Sequence, residues 1–129
     1  MRTFPRNAEI ILIFNVYPIS IGDKAEFSWI KGASQKHNVN YLNELQLGGS
    51  SPKTVYDTCD FAGTDVDLKK EDPNVLKTVT KNDGDKFQYF VCGIGDGDDG
   101  FHCKHGVKAR FHVVNDTKYC HIHPYTYKC

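Results

Sequence analysis

The residues of this chain with the most distinctive chemistry are one cysteine and two histidines. Cys92 and His102 lie on one short segment, and His37 lies far upstream. A thiolate sulfur with two imidazole nitrogens is a donor set that favours copper in a trigonal site. Such a site needs two ligands on one loop and a third from another strand. The three residues are therefore candidate ligands of a copper ion.

The cysteine count gives a second constraint. The density of cysteines in a small chain predicts disulfides and an oxidising compartment. Their odd number leaves one cysteine without an intramolecular partner, which could be a metal thiolate or a buried free thiol. The five positions are Cys59, Cys92, Cys103, Cys120 and Cys129. The sequon Asn115-Asp116-Thr117 fits a secreted protein and makes Asn115 a candidate glycosylation site, although such three-residue matches are common.

The elements that must position these residues are mostly strands. Residues 9–15 form a run rich in β-branched side chains, which predicts a buried first strand. Residues 24–29 and 87–92 alternate in the manner of half-buried strands, and 75–81 is a further candidate closed by a turn over 82–85. Residues 107–113 alternate most cleanly, which predicts a central strand with one wetter face. Short strands separated by turns indicate an all-β sandwich or barrel.

The sequence predicts no helix longer than a turn or two. Residues 42–47 and 65–72 are expected to form short helical or irregular segments. The run Gly48-Gly49-Ser50-Ser51-Pro52 is expected to be a loop.

Length and charge limit the domain number and the partners. The 129 residues make one domain, 1–129, with its core over 9–114 and a C-terminal extension over 115–129. With 16 basic and 16 acidic residues, the chain has no net charge with which to hold a nucleic acid. No apolar run approaches the roughly 20 residues of a membrane span. The apolar segment 10–14 has no small-residue cleavage site after it, so we expect no signal peptide within this chain.

Four segments, in order along the chain, share residue types and spacing with one protein family. They are Ile21-Gly22-Asp23 with Phe27-Ser28-Trp29 and Lys36-His37-Asn38-Val39; Tyr56-Asp57-Thr58-Cys59; Phe87-Gln88-Tyr89-Phe90-Val91-Cys92; and His102-Cys103-Lys104-His105-Gly106. Together they resemble the phytocyanin branch of the blue-copper proteins. The segments are similar to that family's strand leading to the first histidine ligand, its Tyr-x-x-Cys segment, its aromatic strand ending at the cysteine ligand, and its His-Cys-x-x-Gly motif.

The resemblance implies a fold and a ligand set. The fold would be a Greek-key β-sandwich or barrel of the cupredoxin type, with about seven to eight strands. His37, Cys92 and His102 would be equatorial copper ligands, and electrons would leave through an exposed edge of His102. Cys59 would pair with Cys103, which leaves Cys120 and Cys129 to pair with each other and close the C-terminal extension.

Two features distinguish this chain from the family pattern. Nine residues, Gly93 through Phe101, separate the cysteine from the second histidine, more than is usual in the family. Their Gly-Asp-rich run predicts a flexible acidic loop rather than a calcium site, because it lacks the EF-hand pattern. Val107 stands where the family places an axial Gln or Met, so we expect a three-coordinate site, or one that recruits water or a neighbour. His105 is expected at the surface, with substitution as a ligand as the alternative.

These observations predict a copper-binding electron carrier. Cu(I)/Cu(II) cycling in a monomeric, secreted or cell-surface protein would serve a redox protein partner. The sequence contains no Ser-His-Asp arrangement, phosphate loop or zinc-protease motif, so we expect no enzymatic activity. One alternative is a copper-free cupredoxin that acts as an interaction module. The other is copper handling by the tail, where His121 and His123 share one face in extended conformation and form a possible second metal site.

Overall fold

A computed structural model describes residues 2–4, 16–29, 36–72, 75–79, 86–95, 100–117, 121–123 and 126–128. Sequence predictions that lie outside the described residues are the strand over 9–15, the turn over 82–85, the centre of the Gly-Asp-rich loop at 96–99, and the disulfide between Cys120 and Cys129. No helix in the described part of the chain has the length and apolar character needed to cross a bilayer.

Strands make up most of the regular structure in the described residues. Their bounds are β1 Arg2–Phe4, β2 Val16–Ser20, β3 Lys24–Phe27, β4 Asn40–Tyr41, β5 Val75–Thr78, β6 Phe87–Val91, β7 Lys108–Val114, β8 His121–His123 and β9 Thr126–Lys128. The helical segments are a 3₁₀ turn at Glu44–Gln46 and two short helices, α1 at Pro52–Thr58 and α2 at Phe101–Lys104.

Seven of these strands form two mixed sheets. The first has the order β1-β3-β5, with β1 parallel to β3 and β5 antiparallel to β3. The second has the order β2-β7-β6-β4, with β2 parallel to β7 and the other pairs antiparallel. No closed barrel forms among the described strands. The all-β prediction is therefore confirmed as a β-rich fold of mixed sheets with few helices.

The central position predicted for the strand over 107–113 is confirmed. β7 lies between β2 and β6, and its side chains alternate between buried and half-buried. Ala109, Phe111 and Val113 are buried, because they point into the space between the two sheets. The C-terminal extension also contains strand structure, since β8 and β9 pair as a separate two-stranded sheet.

Aromatic packing joins the two sheets through one core. Phe27 of β3 has its ring centroid 5.0 Å from that of Phe90 in β6 and 5.9 Å from that of Phe111 in β7. Ile19 of β2 and Ala25 of β3 are buried in the same cluster. Apolar side chains from both sheets thus bury each other, which is the usual reason that two sheets stack face to face.

Helix α1 begins at Pro52, directly after the loop that the sequence predicted over 48–52, and covers a segment to which the sequence assigned no element. Ser51 caps the helix, because its hydroxyl oxygen accepts a hydrogen bond of 3.1 Å from the Thr54 N–H. Pro52 occupies the first helical position, where the missing N–H costs nothing. The Ser-Pro pair was a helix-start signal in the sequence. Val55 and Tyr56 on α1 are buried in a second apolar cluster.

The C-terminal end of α1 is anchored to the second sheet and to α2. Lys108 at the start of β7 donates a 2.7 Å hydrogen bond from Nζ to the carbonyl of Tyr56, and its Nζ lies 4.4 Å from the centre of that ring. A cation at this end complements the helix dipole. Cys59 follows α1 in the left-handed conformation and forms a disulfide with Cys103 of α2, as the resemblance implies.

We predict that the double substitution Cys59→Ala and Cys103→Ala lowers the free energy of unfolding by about 3–4 kcal/mol, because the bond closes a long loop in the unfolded chain. The separation of the two cysteines is 44 residues. Urea unfolding followed by tryptophan fluorescence would measure the loss. Reduction of the unaltered protein cleaves this bond and the predicted Cys120–Cys129 bond, so the loss should be at least as large. Equal midpoints for all forms would show that the bond adds no stability.

Candidate metal centre

Cys92 is positioned by the register of β6 against β7. Phe90 lies opposite Ala109 and Val91 opposite Lys108, so the next pair is Cys92 opposite Val107. A hydrogen bond of 3.0 Å from the Cys92 N–H to the Val107 carbonyl continues the ladder by that step. Since side chains alternate along a strand, Cys92 points to the same inner face as Phe90.

His102 is positioned by the short helix α2. Its N–H donates to the Ile94 carbonyl at 3.2 Å, and its carbonyl accepts a 2.9 Å hydrogen bond from the Val107 N–H. The neighbouring residue Cys103 is fully buried and holds α2 to α1 through the disulfide. The hydrogen bonds to Ile94 and Val107 therefore place the second histidine next to the end of β6.

His37 reaches the same place from the segment before β4. Its carbonyl accepts a 3.2 Å hydrogen bond from the Asp72 N–H, and the Asp72 carboxylate accepts one of 3.2 Å from the Val39 N–H. The ring centroid of Trp29 lies 6.0 Å from that of His37 in an edge arrangement. These contacts hold the histidine between the end of β3 and the 66–72 loop.

The three candidate ligands converge. Cys92 Sγ lies 3.8 Å from His37 Nδ1 and 3.6 Å from His102 Nδ1, and one donor atom of each residue lies within 4.8 Å of the others. Metal bonds to imidazole nitrogen and thiolate sulfur of about 2.0–2.3 Å, at trigonal or tetrahedral angles, separate two such donors by about 3.5–3.8 Å. Both sulfur–nitrogen distances match that separation, so these residues could hold a metal ion.

All three side chains are buried: 5% of His37, 2% of Cys92 and 4% of His102 is exposed. The exposed edge of His102 that the resemblance implied is therefore absent, because α2 turns this ring inward. Burial raises the pKa of the Cys92 thiol, while hydrogen bonds from the N–H groups of Asn38 and Ile94 oppose that rise and the charge of Asp72 adds to it. A bound cation would have to displace the thiol proton.

Asn38 ties the candidate ligands together, a role that the sequence reasoning did not assign. Its backbone N–H points at Cys92 Sγ at 3.5 Å. Its side-chain oxygen accepts from the Gly93 N–H at 2.8 Å, and its side-chain nitrogen donates to the carbonyls of Asp67 and Lys70 at 2.8 and 3.2 Å. The sequence signal for this role was the position of Asn38 directly after His37. A buried Asn side chain can donate and accept hydrogen bonds at the same time, so it can link several backbone segments.

Gly93, next to the candidate thiolate, is closely packed. A Cβ atom at this position would lie 2.1 Å from the Asp67 carbonyl oxygen and 3.1 Å from a side-chain carbon of Val66. Only a residue without a side chain lets the backbone after Cys92 approach the 66–70 loop. The first residue of the long segment thus helps to set where the sulfur lies.

None of the other predicted site residues whose side chains the structure describes belongs to this cluster. Val107 is half-buried opposite Cys92, and His105 is exposed with its ring centroid 4.2 Å from that of Phe101, outside the ligand cluster. Asn115 is exposed just after β7. His121 and His123 both fall on β8, and their side chains lie outside the described part of the structure.

No protein-family model matches the chain, and no curated protein matches it.

We predict that Gly93→Ala lowers the free energy of unfolding by about 1–3 kcal/mol, because the added methyl group overpacks the contact with Asp67. It should also weaken metal binding, since Cys92 must move with the backbone. Calorimetric titration with Cu(II), together with urea unfolding, would measure both effects.

Gly49→Ala is the matched control for that substitution. Gly49 has a φ of +93°, so alanine is strained there, yet nothing lies within 4 Å of its added Cβ atom. This variant should lose stability and keep the metal affinity of the unaltered protein. Equal metal affinity in both glycine variants would contradict the positioning role of Gly93.

Proposed function

We propose that this chain is a cupredoxin that binds one copper ion through His37, Cys92 and His102 and carries single electrons. The observation that carries the proposal is the convergence of one sulfur and two Nδ1 atoms, two of them from one short segment and the third from far upstream. A buried cysteine with two histidines is the trigonal donor set of blue-copper electron-transfer sites. The proposal joins that donor set to the four sequence segments that resemble phytocyanins.

The strand arrangement supports a Greek-key sandwich. β1 and β3 are parallel neighbours in one sheet, while β2, which lies between them in the sequence, belongs to the other sheet. Phe27 of the first sheet packs with Phe90 and Phe111 of the second, which supports face-to-face packing of the sheets. Both features fit a cupredoxin sandwich, in which the ligands collect at one end.

The site is built to hold its donors still. Copper would supply the one-electron change between Cu(I) and Cu(II). The protein's own contribution is to keep the three donor atoms in place through the β6–β7 ladder, the Asn38 contacts and the disulfide beside His102. Ligands that are fixed before the electron arrives need little rearrangement when the charge changes.

A redox partner would approach near α2. His102 is buried, but the neighbouring Phe101 is 36% exposed and its ring centroid lies 6.2 Å from that of His102. A protein that contacts Phe101 would come within about one aromatic ring of a ligand. We propose that electrons pass by this route, in a non-enzymatic monomer outside the cell, with the cysteine content favouring an oxidising compartment.

We predict that Cu(II) added to the purified protein gives an intense thiolate-to-copper absorption in the visible range, with one copper per chain by metal analysis. The band should disappear in Cys92→Ser, because the transition moves charge from thiolate sulfur to copper and serine has no sulfur. His105→Gln is the matched control, since His105 lies outside the cluster, and it should keep the band.

Other outcomes of this experiment favour the other functions. Absence of the band in the unaltered protein would contradict the proposal and favour an interaction module. Copper that survives Cys92→Ser, and is lost when His121 and His123 are replaced, would favour copper handling by the tail.

We predict a reduction potential higher than that of related sites with an axial Gln, because Val107 supplies no axial donor and low coordination favours Cu(I). Val107→Gln should lower the potential, with about 59 mV for each tenfold gain in preference for Cu(II). Redox titration of both proteins would measure the change. An unaltered or higher potential in Val107→Gln would contradict the role assigned to Val107.

A further inference from the structure

A small cavity lies directly beside the candidate copper site. Its volume is about 60 Å³, and it extends from the ligand cluster toward the core between the two sheets. Residues that line it include His37, Cys92, Val107, Tyr17, Phe27 and Phe90. Two candidate ligands thus share a space with the valine that stands in place of an axial donor.

The backbone holds Val107 against this cavity. Its carbonyl accepts from the Cys92 N–H at 3.0 Å, and its N–H donates to the His102 carbonyl at 2.9 Å. The β6–β7 register puts the side chains of Val107 and Cys92 on the same face. The isopropyl group therefore borders the place from which a fourth ligand would reach the metal, and it has no atom that could coordinate.

The residues that line the cavity determine which kind of molecule can bind in it. Asn38, a polar residue of the wall, has its amide engaged with Gly93 and Asp67. Lys108, also in the wall, directs its ammonium group to the Tyr56 carbonyl. Ser28 is a further polar residue of the lining, and the remainder is mostly apolar, with the aromatic side chains of Phe27 and Phe90. A molecule with apolar groups around its donor atom therefore gains free energy from burial in this cavity.

We propose that the cavity beside Val107 binds small, uncharged molecules with a soft sulfur donor, which supply the copper with its fourth ligand. Soft thioether sulfur suits the copper of a thiolate–imidazole site. The space is several times the roughly 10–15 Å³ that one water molecule needs in a cavity, so a molecule of about three or four heavy atoms fits. The inference rests on the proposed function, because the metal is the partner of the donor atom.

Dimethyl sulfide is the probe. Titration of the Cu(II) protein should produce a saturable shift of the thiolate-to-copper band and of the electron paramagnetic resonance spectrum. Dimethyl ether, which has the same shape and no charge but a hard oxygen donor, should bind at least tenfold more weakly. An unchanged spectrum at saturating dimethyl sulfide, with the copper band present, would overturn the inference while leaving the proposed function standing. Equal binding of dimethyl ether would overturn the assigned ligand class.

Val107→Leu and Val107→Met form a matched pair, because the two side chains have similar volume and only methionine carries a donor. Both should fill the cavity and weaken dimethyl sulfide binding at least tenfold. Val107→Met alone should show the shifted spectrum before any addition. Retention of full dimethyl sulfide binding in Val107→Leu would contradict the location. Urea unfolding of each variant checks that it folds.

A measurement on the metal-free protein separates the two proposals. Dimethyl sulfide should shift the methyl resonances of Val107 in the apo protein, and those of a remote core residue such as Val55 should stay unchanged. If the unaltered protein gives no copper band, the proposed function fails, and this measurement still decides whether the cavity binds the probe. Unshifted Val107 methyl resonances at saturation would overturn the cavity proposal.

Discussion

The antiparallel register of β6 against β7 is the constraint on which the candidate site depends. It continues one pair past the strand ends, where Cys92 faces Val107 across a 3.0 Å hydrogen bond. A slip of one residue would turn Cys92 to the opposite face of the sheet and separate the sulfur from both histidines. The register is specified by burial, because Phe90, Ala109 and Phe111 must all face the core between the sheets.

Around that ladder, the site is held by contacts between segments far apart in the chain. Asn38 binds Gly93 and the 66–70 loop, and it points its N–H at the sulfur. The Cys59–Cys103 disulfide joins α1 to α2 and so fixes the residue next to His102. Each contact satisfies a buried polar group or closes a long loop, so the same interactions that stabilise the fold also position the donor atoms.

Burial shields the three candidate ligands from solvent and limits the directions from which another molecule can approach them. The three side chains are almost fully covered, which excludes water and raises the pKa of the free thiol. The cover is asymmetric. Phe101 reaches the surface on the α2 side, and the apolar cavity beside Val107 lies toward the sheet interior. Electron exchange and ligand entry would therefore take place on different sides of the same three residues.

The features that depend on neighbouring residues or on the chemistry of single side chains could be predicted from the sequence alone. The alternation over 107–113 predicted β7 and its central position, and the donor types of His37, Cys92 and His102 predicted the ligand set, because side-chain period and ligand chemistry are properties of the residues themselves. Helix α1 also had its Ser51-Pro52 start signal, although the glycines before it favoured a loop. Only the tertiary structure decided that His102 is buried, that Asn38 links Cys92 to the 66–70 loop, and that a cavity borders Val107. Those features arise from contacts across tens of residues, and their geometry follows from how the two sheets pack rather than from any local pattern.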